Sequence, residues 1–175
     1  MKDSILIVLG AVLISISGQL DLEVPLSTTD ISGTWQTFAV LVFAFATNRK
    51  IGTLAVLLYL ILGVLGAPVF ADGTSGWNVL VGKTGGFLSA FLISAFIVGR
   101  FAELGWNPSF FKGIVAMAIG TLIILIGGTL YLSTFIGIEK AYQYGFAPFL
   151  LGAFIKIILG ALVLPLYYNF IKKAH

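Results

Sequence analysis

The chain has 175 residues, of which 59% are hydrophobic and only 10% are charged, against roughly 25% charged residues in an average soluble domain. The mean hydropathy is +1.08. This composition excludes a disordered protein and indicates that lipid surrounds most of the chain. The net charge of +3 arises from cations scattered singly or in pairs, so no basic stripe favours nucleic-acid binding. The sequence contains no cysteine, which excludes disulfides and thiolate metal sites.

Six apolar runs predict six transmembrane helices in a single all-α membrane domain over residues 1–175. In chain order the runs are 5–20, 35–47, 51–69, 85–101, 113–138 and 146–171. The second run is short, and the fifth is long enough to tilt. Transmembrane strands would alternate in polarity over roughly ten residues, whereas these runs are apolar on every face.

The connections between the runs differ in charge and thereby predict the topology. The side that holds both termini carries seven cations, namely Lys2, Arg49, Lys50, Arg100, Lys112, Lys172 and Lys173. The other side carries two, Lys83 and Lys140. Because an excess of lysine and arginine marks the cytoplasmic side, we expect a multi-pass protein with both termini in the cytoplasm. The outer connections 21–34 and 70–84 are long, so they either cover a site or are ordinary solvated loops.

Lys156 is a charged residue well inside a predicted span. A cation at that depth costs about 2.5–3.5 kcal/mol on insertion scales. Helical spacing places Phe149, Gly152, Ala153 and Gly160 on its face, and the three small residues leave room for a ligand or for another helix. Lys156 therefore either contacts an anionic ligand, or snorkels outward or pairs with a carbonyl in a packed seam.

The sequence favours a binding protein over an enzyme. All seven carboxylates lie in connections or at span ends, so the bundle holds no carboxylate pair for acid–base catalysis or proton coupling. Gly82-Lys83-Thr84 resembles the end of a phosphate loop, but Trp77 occupies the first glycine position of that pattern and an outer loop precedes it instead of a strand. We expect no cofactor and no metal, and another protein must supply any energy for transport.

Two further sets of residues each leave two interpretations open. Ala11, Ser15 and Gly18 follow one another at i, i+4 and i+7, a spacing that suits either a partner helix or an internal packing seam. Trp35 and Trp77 adjoin the two long outer connections. They belong either to the interfacial aromatic belt or to an aromatic wall that faces a ligand.

Five segments in order carry a resemblance to a known family. They are 33–40 (GTWQTFAV), 52–60 (GTLAVLLYL), 66–71 (GAPVFA), 82–88 (GKTGGFL) and 148–152 (PFLLG) followed by Lys156. Together they resemble the BioY family, the substrate-binding S components of biotin transporters of the energy-coupling-factor (ECF) type. The chain departs from the family pattern at Leu151 and Lys83, where many members have proline, and at Ala153, where many have aspartate.

The resemblance implies a six-helix S component in the cell membrane of a prokaryote. It implies biotin as ligand, and a transmembrane T component with ABC-type ATPases as partners that supply the energy. Ala11, Ser15 and Gly18 are then candidates for the surface that contacts the T component. The family associates the missing aspartate with the biotin site, beside the lysine matched by Lys156.

We expect biotin to lie under the outer connections, against the outer parts of the last three helices. The candidate substrate-binding residues are Lys156, Trp77, Asn78, Thr84, Gly85, Phe87, Gln36, Trp35, Phe149 and Ala153. Because Ala153 replaces the aspartate, an S component for another carboxylated small molecule, such as a biotin precursor or lipoate, stays open as an alternative.

Overall fold

The computed structural model describes residues 2–20 and 34–173, and within them the chain is a bundle of α-helices. The helices are α1 Lys2–Ser17, α2 Gln36–Ala46, α3 Arg49–Val64, α4 Trp77–Leu80, α5 Gly85–Glu103, α6 Phe110–Ile136, α7 Ile138–Gly145 and α8 Phe149–Lys173, with a 3₁₀ turn at Ala71–Gly73. The six predicted spans correspond to α1, α2, α3, α5, α6 and α8. The predicted outer connection 21–34 lies outside the described residues, except for Thr34.

The helices form a membrane bundle. Among the described residues, Gly85–Glu103, Phe110–Ile136 and Phe149–Leu166 are long and apolar enough to cross a bilayer, and Gln36–Ala46 is a shorter apolar helix. Large apolar side chains cover the outside, including Val8 and Val12 on α1, Phe96 on α5 and Leu130 on α6. An outer surface of this kind suits lipid as the surrounding solvent.

The short helix α2 lies at the centre of the bundle and packs against α1, α3, α5, α6 and α8. Its residues Val40, Ala44 and Phe45 have no exposed surface. Gly52 of α3 faces Ala44, where an added Cβ would lie 2.9 Å from the Ala44 Cα. The absence of a side chain at Gly52 therefore lets α2 and α3 approach closely.

Small residues on α1 and in the turn directly after it face the interior of the bundle. Ala11 has no exposed surface and Gly18 is buried, and a Cβ at Gly18 would overlap the side-chain amide of Gln36. The hydroxyl of half-buried Ser15 donates to the Ala11 carbonyl at 2.8 Å. The structure therefore corrects the expectation that Ala11 and Gly18 form a partner surface and favours the alternative of an internal packing seam.

One end of the bundle is held by a cluster of three charged side chains. Glu103, at the end of α5, lies 3.4 Å from the Arg49 guanidinium and 3.0 Å from that of Arg100. It also accepts a hydrogen bond from the Arg49 backbone N–H at 3.3 Å. The charge pattern of the sequence assigned Arg49 and Arg100 to one side of the membrane, and the structure brings them together there.

Candidate functional site

A cavity of about 470 Å³ opens among α2, α5, α6, α8 and the segment 70–84. Pockets for small ligands commonly measure about 300–1,000 Å³, with mainly apolar walls and a few polar groups. The volume of this cavity and the character of its walls both fall within this description. Phe38, Phe91 and Ile124 are among its apolar walls, and Lys156 and Thr37 are among its polar groups.

Side chains from α2, from α3 and from the turn after α1 contact the start of the segment 70–84 and the residue before it. The Gln19 amide donates to the Phe70 carbonyl at 3.0 Å, and the Gln36 amide donates to the Val69 carbonyl at 3.4 Å. The Phe70 ring is buried and meets the Tyr59 ring edge to face. Asp72 has a φ of +57°, a left-handed conformation that aspartate adopts more readily than most residues. These contacts hold the segment against the cavity.

Lys156 lies seven residues into α8, about 10 Å along its axis. Its ammonium donates hydrogen bonds to the Thr34 carbonyl and, at 3.1 Å, to the Thr37 hydroxyl. The ammonium also lies 5.9 Å from the centre of the Trp35 ring. Within the described part of the chain, neither ion pair includes Lys156. The described groups that accept hydrogen bonds from this cation are therefore both neutral.

The structure brings seven of the ten predicted substrate-binding residues to the cavity wall. They are Lys156, Asn78, Thr84, Phe87, Gln36, Phe149 and Ala153. The predicted face of Lys156 is largely correct, because Phe149, Gly152 and Ala153 also line the cavity. Gly160 does not belong to the wall, since it packs against Met117 of α6.

Three predicted residues do not line the cavity. Trp77 is 60% exposed on α4, where it resembles an interfacial aromatic residue. Gly85 is buried, and a Cβ there would overlap the Leu80 carbonyl. Trp35 is also absent from the wall, and the centre of its ring lies 5.9 Å from the Lys156 ammonium. The prediction that these three residues contact the ligand therefore has no support from the cavity wall.

Other cavity residues were not among the candidates. Thr37, Phe38 and Leu41 bring the first turns of α2 into the wall, and Asp72 and Lys83 bring charge from the segment 70–84. Lys83 and Asp72 could have been found from their place in the outer connection. Thr37 gave no comparable signal, because a threonine in an apolar run is common.

Comparisons with known proteins agree with this fold. The BioY family model matches residues 1–173 of the chain. This chain belongs to the BioY family. Among its relatives, the Thermotoga maritima protein named biotin transporter BioY is 40% identical over 131 residues, which cover 74% of this chain and 76% of that protein. The Lactococcus lactis protein named biotin transporter BioY2 is 40% identical over 159 residues, covering 88% and 83%.

A solved structure shares the fold. It is described as the S-component for biotin from an ECF-type ABC transporter, and it aligns with a TM-score of 0.84. The alignment covers 96% of this chain and 91% of that one, at 24% sequence identity. The two chains therefore share one helical-bundle fold.

Proposed function

We propose that this BioY chain is the substrate-binding subunit of an ECF-type importer and that its ligand is biotin. Two relatives at 40% identity carry the name biotin transporter. The observation in the structure that best supports the proposal is the cation of Lys156 at the wall of a largely apolar cavity. Biotin combines a carboxylate and a polar ureido ring with an apolar chain, so its chemistry matches such a cavity.

The chain binds and delivers its ligand and performs no chemistry on it. In the described residues, no group of three or more His, Cys, Asp or Glu is placed to hold a metal. Our proposal assigns the energy to a transmembrane T component and ABC-type ATPases, since the sequence contains no nucleotide-binding motif. It also places the protein in a prokaryotic cell membrane, with both termini in the cytoplasm and the cavity toward the outer face.

A second ligand class is favoured by one residue. Ala153 lines the cavity one helical turn before Lys156 and offers no polar group to a ligand. A carboxylated molecule with less polar surface than biotin, such as lipoate, would also be compatible with this wall.

Equilibrium binding to the purified protein in detergent tests the proposal. Biotin, desthiobiotin and lipoate are titrated separately, and tryptophan fluorescence or calorimetry reports the binding. We expect biotin to bind most tightly. Tight binding of lipoate without binding of biotin would overturn the proposed ligand and support the second class.

A further inference from the structure

Thr37 and Lys156 meet across the cavity although 119 positions separate them in the chain. Thr37 lies in the first turn of α2, and Lys156 lies in the third turn of α8. Both residues line the cavity. Their hydrogen bond therefore ties the ligand cavity's cation to the central helix of the bundle.

An ammonium group has three N–H donors. Among the described residues, the Thr34 carbonyl and the Thr37 hydroxyl accept two of them, so the third donor has no acceptor in this part of the chain. Two fixed donors also restrict a long side chain that otherwise rotates freely about its four-carbon stem. The direction of the remaining N–H is thereby set.

Of the two acceptors that hold the Lys156 ammonium, the Thr37 hydroxyl is the one that a substitution can remove. The other acceptor is a backbone carbonyl, which no substitution removes. The aromatic ring of Trp35 lies 5.9 Å away and is too distant to fix the direction of a donor. Loss of the Thr37 hydroxyl would leave the ammonium held at one point, free to turn about it.

We propose that Thr37 is a positioning residue of the ligand site, which aims the free N–H of Lys156 at an acceptor oxygen of the ligand. This inference rests on the proposed function, because it assigns the ligand oxygen to Lys156. Thr37 acts through Lys156, so its effect on ligand affinity depends on the lysine being present.

A double-mutant cycle tests this dependence. Biotin affinity is measured for Thr37→Val, Thr37→Ser, Lys156→Met and the combination of Thr37→Val with Lys156→Met. We expect Thr37→Val to weaken binding about tenfold and Thr37→Ser, which keeps the hydroxyl, to restore most of the affinity. In the Lys156→Met background, Thr37→Val should change the affinity by less than about twofold.

Thr47→Val is the matched control. Thr47 is the C-cap residue of α2, and its hydroxyl donates to the Phe43 carbonyl at 2.8 Å, so the substitution removes a threonine hydroxyl at the other end of the same helix. It should leave biotin affinity unchanged. An equal loss of affinity for Thr37→Val in both backgrounds, or no loss in either, would overturn the proposal.

A measurement without ligand tests the hydrogen bond between Lys156 and Thr37 independently. Acetic anhydride modifies lysine amines, and mass spectrometry reports the rate at Lys156 relative to exposed Lys83. We expect about a threefold faster modification in Thr37→Val and the wild-type rate in Thr37→Ser and Thr47→Val. An unchanged rate in Thr37→Val would overturn the positioning role. A wild-type protein that bound no biotin would instead overturn the proposed function, and the modification rates would then decide on Thr37 alone.

Discussion

The side-chain amide of Gln36 donates a 2.8 Å hydrogen bond to the hydroxyl of Tyr59, and both side chains are buried. The same amide reaches the Val69 carbonyl at 3.4 Å. This pair joins the start of α2 to α3 and to the chain that leads into the segment 70–84. The position of the cavity wall thus depends on a buried polar contact behind it.

Tyr59→Phe should lower the stability of the protein. The substitution removes the acceptor of the 2.8 Å hydrogen bond, so the Gln36 amide nitrogen keeps only its 3.4 Å contact to the Val69 carbonyl. A buried polar group that loses its partner costs about 1–3 kcal/mol, so the unfolding temperature in detergent should fall. Tyr142→Phe, on the exposed face of α7, serves as the control and should leave the unfolding temperature unchanged. Equal unfolding temperatures for Tyr59→Phe and wild type would show that the hydrogen bond contributes nothing.

Gly128→Ala should weaken ligand binding more than Gly127→Ala. A Cβ at Gly128 would overlap the ring of Phe87, which lines the cavity. The ring must then move, and the wall changes shape. A Cβ added at the neighbouring Gly127 would have the Cβ of Ala90 as its nearest neighbour, at 3.1 Å. Ala90 does not line the cavity. Titration of both variants with biotin checks the difference, and equal affinities would contradict the assignment of Phe87 to the ligand wall.

Lys156→Met should weaken biotin binding by roughly ten- to a hundredfold. Methionine retains much of the length of the side chain but removes a charge-assisted hydrogen bond worth about 1.5–3 kcal/mol. The protein should still fold, since a cation within the membrane disfavours insertion. Size-exclusion chromatography verifies the fold before the titration. Wild-type affinity in a well-folded variant would show that Lys156 does not contribute to binding and that the aromatic and loop residues alone hold the ligand.

Ala153→Asp should be tolerated when Lys156 is present and should damage folding when it is absent. The two positions are one helical turn apart, so the introduced carboxylate has the lysine as counter-ion. In the Lys156→Met background the acid would lie at a largely buried position without that cation, which is costly. The yield of monodisperse protein for the single and double variants measures the effect. Similar yields for both would indicate that the carboxylate finds another partner.

A reporter fused after His175 should behave as cytoplasmic, and one inserted near Thr74 should behave as external. The expectation follows from the seven-to-two distribution of cations between the two sides. Alkaline phosphatase and green fluorescent protein fusions report opposite sides of the membrane and control for each other. The reverse pattern would mean that the interpretation of the charges is wrong.

The apolar runs predicted the existence of the six main helices, but several ends lie elsewhere. Helix α3 begins at Arg49 because the Asn48 side chain accepts the Ile51 N–H at 2.9 Å and caps it. It ends at Val64, five residues before the predicted limit, and Gly66 follows with a φ of +102°. A cap and a left-handed glycine leave the hydropathy unchanged, so only local backbone chemistry marks these ends.

Helix α7 was not predicted, since its eight residues are largely polar. Gly137, with a φ of +82°, separates it from α6, and only Ala141 and Gly145 are buried. Eight residues are fewer than the window of roughly 11–18 residues over which helical periodicity is read, so the sequence did not distinguish this segment from a loop.

The depth of Lys156 was predictable from the sequence, but its partners were not. A charge in an apolar run stands out in the sequence, and helical spacing placed Phe149 and Ala153 beside it. Thr37 lies in α2 and Thr34 lies two residues before that helix, more than a hundred residues from Lys156 in the chain. Only the packing of α8 against α2 brings them to the ammonium. Contacts of this kind depend on tertiary structure, and the periodicity of a single helix gives no information about them.

The neutral oxygens around Lys156 also affect how a ligand would enter and leave. A lysine paired with a carboxylate has to share or exchange that partner when a ligand anion arrives. Among the described residues, the Thr34 carbonyl and the Thr37 hydroxyl are neutral and require no such exchange. If Thr37 positions Lys156 as we propose, the site is preorganised, and little of the binding free energy is lost to rearranging the side chain.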